Sequence, residues 1–184
     1  MLTPKNSTWA AHKRVAIPLG MSGACFALAL GLMSGLGIRI NTSYSLPMGI
    51  YARTGDGHTN LIEFCPEGHA AEESSERGYR TSGVCPDGAA PLLKPIVARP
   101  GDTVEMSAGG ISVNGRLLPQ TAPVSRDRYG RALRAWPSGR YPVADGFVWV
   151  ASSYNRGSYD SRYMGPIPTR LIRSRLKPVW TFSR

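Results

Sequence analysis

The sequence predicts a mainly β protein, an antiparallel β-sheet domain carried behind one N-terminal transmembrane helix. Three observations lead to this fold class. Beyond the first forty residues, the apolar residues fall in short or alternating runs bounded by Gly, Pro or Asp, the pattern of strands. Asn114-Gly115 is a two-residue hairpin turn signal. Val15–Ile38 holds no charged residue; at about 1.5 Å per residue it extends roughly 36 Å, enough to cross a hydrocarbon core with some tilt.

The anchor comes first in the chain. Lys5 and His12-Lys13-Arg14 precede it and only Arg39 follows it directly. The excess of positive charge before the span puts the N-terminus in the cytoplasm and the bulk of the chain outside. Ala27-Leu28-Ala29 mimics a small-residue cleavage site, but it falls inside the apolar run, which favours a retained anchor over a cleaved leader. Gly31 and Gly35 have helix-packing spacing, although small-residue content explains them equally well. The expected organisation is a polar tail over 1–14, the anchor over 15–38 and an outer domain over 39–184. That outer domain is large enough for one core of its own.

Strands are expected at Met48–Arg53, Asn60–Phe64, Leu92–Arg99, Thr103–Met106, Ile111–Val113, Arg116–Leu118, Phe147–Ala151 and Pro178–Phe182. No segment after the anchor has a long helical period. Residues 66–90 include Ala-Ala-Glu-Glu-Ser-Ser-Glu-Arg-Gly, poor in core residues, and read as an exposed insertion. Cys65 precedes it and Cys85 lies within it, and each opens a similar turn, Cys-Pro-Glu-Gly and Cys-Pro-Asp-Gly. On the oxidising side of a membrane these two are expected to form a disulfide. Zinc held by Cys65, His69 and Cys85 is the weaker alternative, because the spacing fits no regular zinc pattern. Neither a metal nor another cofactor is expected. Cys25 lies within the span and reads as a free thiol.

The formal net charge is +10. Such a balance suits an acidic partner, either nucleic acid or anionic lipid, or simply a solvated basic surface. The arginines are scattered, apart from Arg126, Arg128, Arg131, Arg134 and Arg140, which share one segment with Tyr129, Trp136 and Tyr141. Basic and aromatic residues together fit an anionic membrane interface, single-stranded nucleic acid or a solvated loop. With an anchor fixing the domain at a bilayer, the membrane surface is preferred and no nucleic acid is expected.

Among groups able to do chemistry, histidine is poorly placed. His12 falls in the tail, and His58 and His69 lie in or beside the insertion, so a Ser-His-Asp triad is unattractive. Lys94 stands out because Leu92, Leu93, Ile96 and Val97 surround it. Burial in such a run lowers a lysine pKa, since desolvation disfavours the ammonium, and a neutral amine can serve as a base. The ordinary alternative is a strand lysine pointing to solvent.

Three segments decide between these readings: Asn41-Thr42-Ser43-Tyr44-Ser45-Leu46-Pro47-Met48-Gly49-Ile50-Tyr51, Leu92-Leu93-Lys94-Pro95-Ile96-Val97-Ala98-Arg99-Pro100-Gly101-Asp102, and Asn155-Arg156-Gly157-Ser158-Tyr159-Asp160-Ser161-Arg162-Tyr163-Met164-Gly165. In this order behind an anchor they resemble the type I signal peptidases, over about residues 12–168. The Ser-Leu-Pro-x-Gly-x-Tyr form looks closest to the conjugative-transfer branch, the TraF-type pilin-maturation peptidases. The resemblance implies a signal-peptidase-like β domain with Ser45 as nucleophile and Lys94 as its general base. It implies that the Ser45 N–H and the Ser43 hydroxyl are oxyanion donors, although a turn hydroxyl bonded locally is the plainer reading of Ser43. It also implies that Ser158 orients the lysine amine and that Asp160 holds the framework through a salt bridge to Arg162 or Arg156. The sequence departs from the pattern at Ala98, where glycine is usual, and at Pro95 beside the base. Ser153-Tyr154 stands where Gly-Asp is usual, and the Asn-Arg to Asp spacing is one residue short.

The implied function is a serine endopeptidase of the bacterial inner membrane, single-pass, with its catalytic domain in the periplasm. It would cleave exported or membrane-held precursors after small residues, in the TraF-type branch a pilin, in some members with cyclisation. Two alternatives stay open: a repressor-type Ser/Lys self-cleaving protease, and a basic membrane-tethered assembly factor without chemistry. The topology has a direct check. Protease added to spheroplasts is expected to digest the region after Arg39 and spare an N-terminal tag; protection of the C-terminal region would contradict it.

Overall fold

The computed structural model describes residues 37–182, together with Gly23. The tail, Cys25, the Gly31/Gly35 pair and the anchor, except for Gly23, Gly37 and Ile38, lie outside the described residues. Among the described residues, no helix is long and apolar enough to cross a membrane. The chain divides into two compact units, Met1–Arg39 and Ile40–Arg184, and the second carries the sheets apart from Ile38 and Arg39, the first two residues of the first strand.

Strands β1 (Ile38–Asn41), β2 (Met48–Thr54), β3 (Leu61–Phe64) and β4 (Leu92–Ala98) precede a compact second group. That group comprises β5 (Thr103–Ser107), β6 (Gly110–Val113), β7 (Arg116–Leu117) and β8 (Gly139–Pro142). The chain then returns through β9 (Phe147–Val150), β10 (Ile167–Pro168) and the long β11 (Ile172–Phe182). One seven-stranded sheet has the order β1-β2-β11-β3-β4-β9-β10, and a four-stranded sheet has the order β7-β6-β5-β8. The pairings from β2 through β10, and those of the second sheet, are antiparallel. The architecture is therefore mainly β, as expected.

Two cores follow from the alternation of buried positions. Ile62, Phe64, Leu92, Ile96, Val148, Val150 and Ile167 pack together around the large sheet. Ala98, Val104, Met106, Ile111, Val143, Trp149 and Ala151 form the core that the small sheet covers. Strand β4 contributes to both, because Ala98 lies at its end just before the Arg99-Pro100-Gly101-Asp102 turn. There Asp102 accepts from Arg99 N at 2.8 Å, its own N–H donates to Arg99 O at 3.0 Å, and Gly101 takes φ 93°. Asn114 and Gly115, at φ 51° and 80°, make the hairpin expected between β6 and β7.

Several elements were not visible in the pattern. Strand β11 begins at Ile172, six residues before the expected start at Pro178, because Arg173-Ser174-Arg175-Leu176-Lys177 reads as a charged loop. Its pairing explains the proline. Beyond Arg175 the ladder to β3 has ended and only β2 is paired, with a register shift between Pro178 and Trp180. Proline tolerates such a one-sided, irregular position. The same region accounts for the glycine of the first motif: a Cβ on Gly49, at φ +150°, would stand 2.1 Å from Trp180 O.

The insertion is more ordered than its composition suggests. It forms a helix, α1 (Gly68–Glu76), with Ala71 and Ser74 buried. Arg80, 7% exposed, pairs with Asp87 and donates to Ala71 O at 2.8 Å and to Ser74 Oγ at 2.8 Å. Cys65 and Cys85 are joined by a disulfide, so the two sulfurs a zinc site would need are bonded to each other. Their separation of 20 residues corresponds to on the order of 3 kcal/mol in the chain-entropy account. Replacing both by serine is expected to lower the urea unfolding free energy by about that amount, and an unchanged midpoint would contradict it.

Candidate active site

The first motif forms the turn between β1 and β2 because its carbonyls are tied by side chains. Asn41, 6% exposed, donates from Nδ2 to Ser43 O at 3.2 Å, Leu46 O at 3.4 Å and Pro47 O at 3.1 Å. Tyr51 Oη, one strand later, donates to Pro47 O at 2.6 Å. Ser45 lies at the centre of this turn and is partly exposed.

Lys94 lies in β4 opposite Ile62 of β3 and is 3% exposed. Pro95 beside it does not break the sheet. Ile96 N–H donates toward β3, to Asn60 O at 2.7 Å, so by strand alternation the missing donor of Pro95 faces the opposite edge, past the end of β9. Lys94 Nζ lies 2.6 Å from Ser45 Oγ and 2.8 Å from Ser158 Oγ. Burial lowers the amine pKa from 10.5 to about 8; Asp160 pulls it up and Arg162 pushes it down. The chain thus brings together one serine from the first motif, the lysine of the second and one serine of the third.

The third motif is a loop closed by an ion pair. Asp160 caps the short helix α2 (Ser161–Met164), accepting from Arg162 N at 3.2 Å. It also accepts from Arg162 Nε and Nη2, both at 2.8 Å. Both residues are fully buried. Of the two arginines offered by the sequence, the partner is Arg162, while Arg156 supplies its carbonyl to Arg162 Nη1 at 2.7 Å. A buried pair of this kind needs its remaining donors satisfied, and Gln120 O at 3.2 Å does this in part. Ser43 is turned elsewhere: its hydroxyl donates to Asn41 Oδ1 at 2.8 Å, a local bond within the turn.

A model of the signal peptidase family, peptidase S26, matches residues 58–181, and these include Lys94, Ser158, Asp160 and Arg162. The chain belongs to this family. The plasmid transfer protein TraF of Escherichia coli is 32% identical over 173 residues, 92% of this chain and 97% of that protein. The conjugal transfer protein TraF of Agrobacterium fabrum (strain C58 / ATCC 33970) is 36% identical over 175 residues, covering 89% and 94%. A solved signal peptidase I from Enterococcus faecalis V583 has a TM-score of 0.38 and 20% identity, covering 68% of this chain and all of that one.

This peptidase S26 chain braces its third motif from the insertion side. Tyr159, between Ser158 and Asp160, donates its hydroxyl to Glu73 Oε2 of α1 at 2.6 Å and stacks on Tyr163 at 5.6 Å. Arg77 pairs with Glu73 at 2.8 Å, and Tyr79 donates to Asp127 at 2.7 Å. Arg131 binds Asp127 at 2.7 Å and Arg77 O at 2.9 Å. Part of the basic segment is thus engaged internally. Trp136 and Tyr141 pack against the second core.

Sequence reasoning did not single out Asn41, Tyr51, Glu73 or Ser152. Asn41 had a readable signal, an Asx residue two positions before a serine; Tyr51 reaches Pro47 four residues back, while the contacts of Glu73 with Tyr159 and of Ser152 with Ser45 join segments far apart in the chain.

The shifted lysine has a consequence for stability. Below pH 8 Lys94 is charged in both the folded and unfolded chain and carries the full burial penalty. Between about 8 and 10.5 only the unfolded chain holds the proton, so stability rises with pH; above 10.5 it levels off. Lys94→Met is expected to remove this rise and to stabilise the protein at pH 7 by up to about 3 kcal/mol. Urea denaturation of both proteins across the alkaline range measures it, and parallel curves would contradict it.

Proposed function

We propose that this protein is a membrane-anchored serine endopeptidase in which Ser45 attacks and Lys94 serves as base. The observation that carries the reading is a buried amine with a pKa of about 8, 2.6 Å from a partly exposed serine hydroxyl. At pH 7 a base of that pKa is neutral in roughly a tenth of molecules, far more than for an ordinary lysine.

In the proposed cycle, neutral Lys94 takes the Ser45 proton as Oγ bonds to the scissile carbonyl carbon. The Ser158 hydroxyl, accepting one amine N–H, leaves the lone pair directed at Ser45. The oxyanion is received by the Ser45 N–H, joined by the Ser43 hydroxyl once it releases Asn41; each such donor is worth about 2.7–4 kcal/mol. The ammonium of Lys94 then returns the proton to the leaving amine as the C–N bond breaks, leaving an ester on Ser45. Water, deprotonated by Lys94, cleaves that ester. An incoming amine in place of water gives a new peptide bond, which is the route to a cyclised product.

The TraF relatives support a role in conjugative transfer; the substrate proposed here is an exported or membrane-held pilin precursor. The charge-free Val15–Ile38 segment supports a retained inner-membrane anchor, N-terminus inside, catalytic domain in the periplasm beside an anionic membrane surface.

Purified full-length protein in detergent is to be assayed on a quenched-fluorescence peptide with alanines before the scissile bond. Ser45→Ala and Lys94→Ala are each expected to abolish cleavage, and the double variant to be no worse than either, since the two act as one unit. Wild-type kcat is expected to rise with pH to a plateau above about 8. Cleavage retained in Ser45→Ala would overturn the assignment.

A further inference from the structure

We infer that Ser152, which lies in none of the three motifs, is a positioning residue for the Ser45 nucleophile. The inference rests on the Ser45/Lys94 reading. Ser152 follows β9 and is fully buried. Its hydroxyl donates to the main-chain carbonyl of Ser45, 107 positions away in sequence. The same oxygen accepts from Tyr154 N at 3.1 Å and Asn155 N at 3.2 Å. A serine hydroxyl has one proton and two lone pairs, so all of its capacity is used and its proton has a single destination. The Ser152 N–H in turn donates to Asp160 Oδ2 at 3.0 Å.

These bonds form a continuous path from the buried Asp160–Arg162 pair, through one serine, to the nucleophile's own backbone. The path is distinct from the one that orients the base, where Ser158 touches Lys94. Asp160 therefore serves both sides of the dyad: its loop carries Ser158 to the amine, and its carboxylate fixes Ser152 against Ser45. The hydroxyl–amine distance of 2.6 Å needs both partners held. Asn41 and Tyr51 tie the carbonyls of Ser43, Leu46 and Pro47, and Ser152 supplies the tie at Ser45 itself. Losing that tie frees the Ser45–Leu46 peptide plane, so the backbone at Ser45, which sets where its Oγ and N–H stand, is no longer fixed from its C-terminal side. Displacements of about 1 Å in such a geometry cost on the order of a hundredfold in rate.

The test uses the full-length protein and the same quenched alanine peptide. Ser152→Ala is expected to lower kcat about 10- to 100-fold, with KM within about threefold of wild type and an unshifted pH midpoint. Ser158→Ala, by contrast, is expected to shift that midpoint, because it touches the amine. Ser152→Thr, which keeps the donor, is expected to restore most of kcat. Ser152→Cys, close in volume but a weak donor, is expected to behave as alanine does and decides the matter should Ser152→Ala fail to fold. Wild-type kcat in Ser152→Ala or Ser152→Cys, with Ser45→Ala inactive, would overturn the inference and leave the dyad standing. A pH midpoint that moves in Ser152→Ala would also overturn it, since the effect would then run through Lys94. An active Ser45→Ala would remove the dyad reading and this inference together.

Discussion

Taking an ammonium group out of water disfavours its charge, and the site is built around this constraint. Lys94 sits in a central strand with its amine enclosed, and burial is the largest influence on its pKa. The fixed charges nearby act in opposite directions, Asp160 favouring the ammonium and Arg162 opposing it. The Asp160 carboxylate raises the amine pKa, and the guanidinium locked to it opposes that pull. The ion pair thus does two things. It closes the loop of the third motif, and it lets an acidic residue stand near the amine without defeating its depressed pKa.

Rigid positioning follows from the sheet. Strand β4 is paired on both sides, to β3 and β9, and its far end is locked by the Arg99–Asp102 turn. Ser45 lies in a turn rather than a strand, and the fold compensates with side-chain hydrogen bonds to successive carbonyls. The close passage of β11 over Gly49 pins the strand that this turn enters. The insertion contributes from the outside. Helix α1, clamped at its base by the Cys65–Cys85 disulfide, presents Glu73 to Tyr159 and so holds the loop that carries Ser158 and Asp160.

Much of this was legible in the sequence, and the limits have physical causes. Alternating runs and turn signals located β2 through β7 and β9 to within a few residues, because strand burial has a period of two and Gly and Pro punctuate it. Strand β11 was half missed, since its first residues are charged and Leu176 is the only one of them fully buried. The helix in the insertion was missed because a short, polar helix held by Arg80, a disulfide and a tyrosine contact has little apolar periodicity to show. That Ser45 and Lys94 stand together was readable from motif order and from the apolar neighbours of Lys94. The place of Ser152 was not: its hydroxyl bonds to a carbonyl 107 positions away, and the short polar run in which it stands, Ser152-Ser153-Tyr154-Asn155, reads as a loop. For Ser43 the plainer reading, a turn hydroxyl bonded locally, matches its bond to Asn41 Oδ1.

The central claim is that burial holds the amine of Lys94 well below the pKa of a solvated lysine. Direct titration by NMR, following the ¹³Cε and ¹⁵Nζ signals of labelled lysine with Lys94→Arg to assign the resonance, tests it most directly. The account predicts a midpoint near 8 for Lys94. A midpoint at 10.5, the value of a solvated lysine, would contradict it.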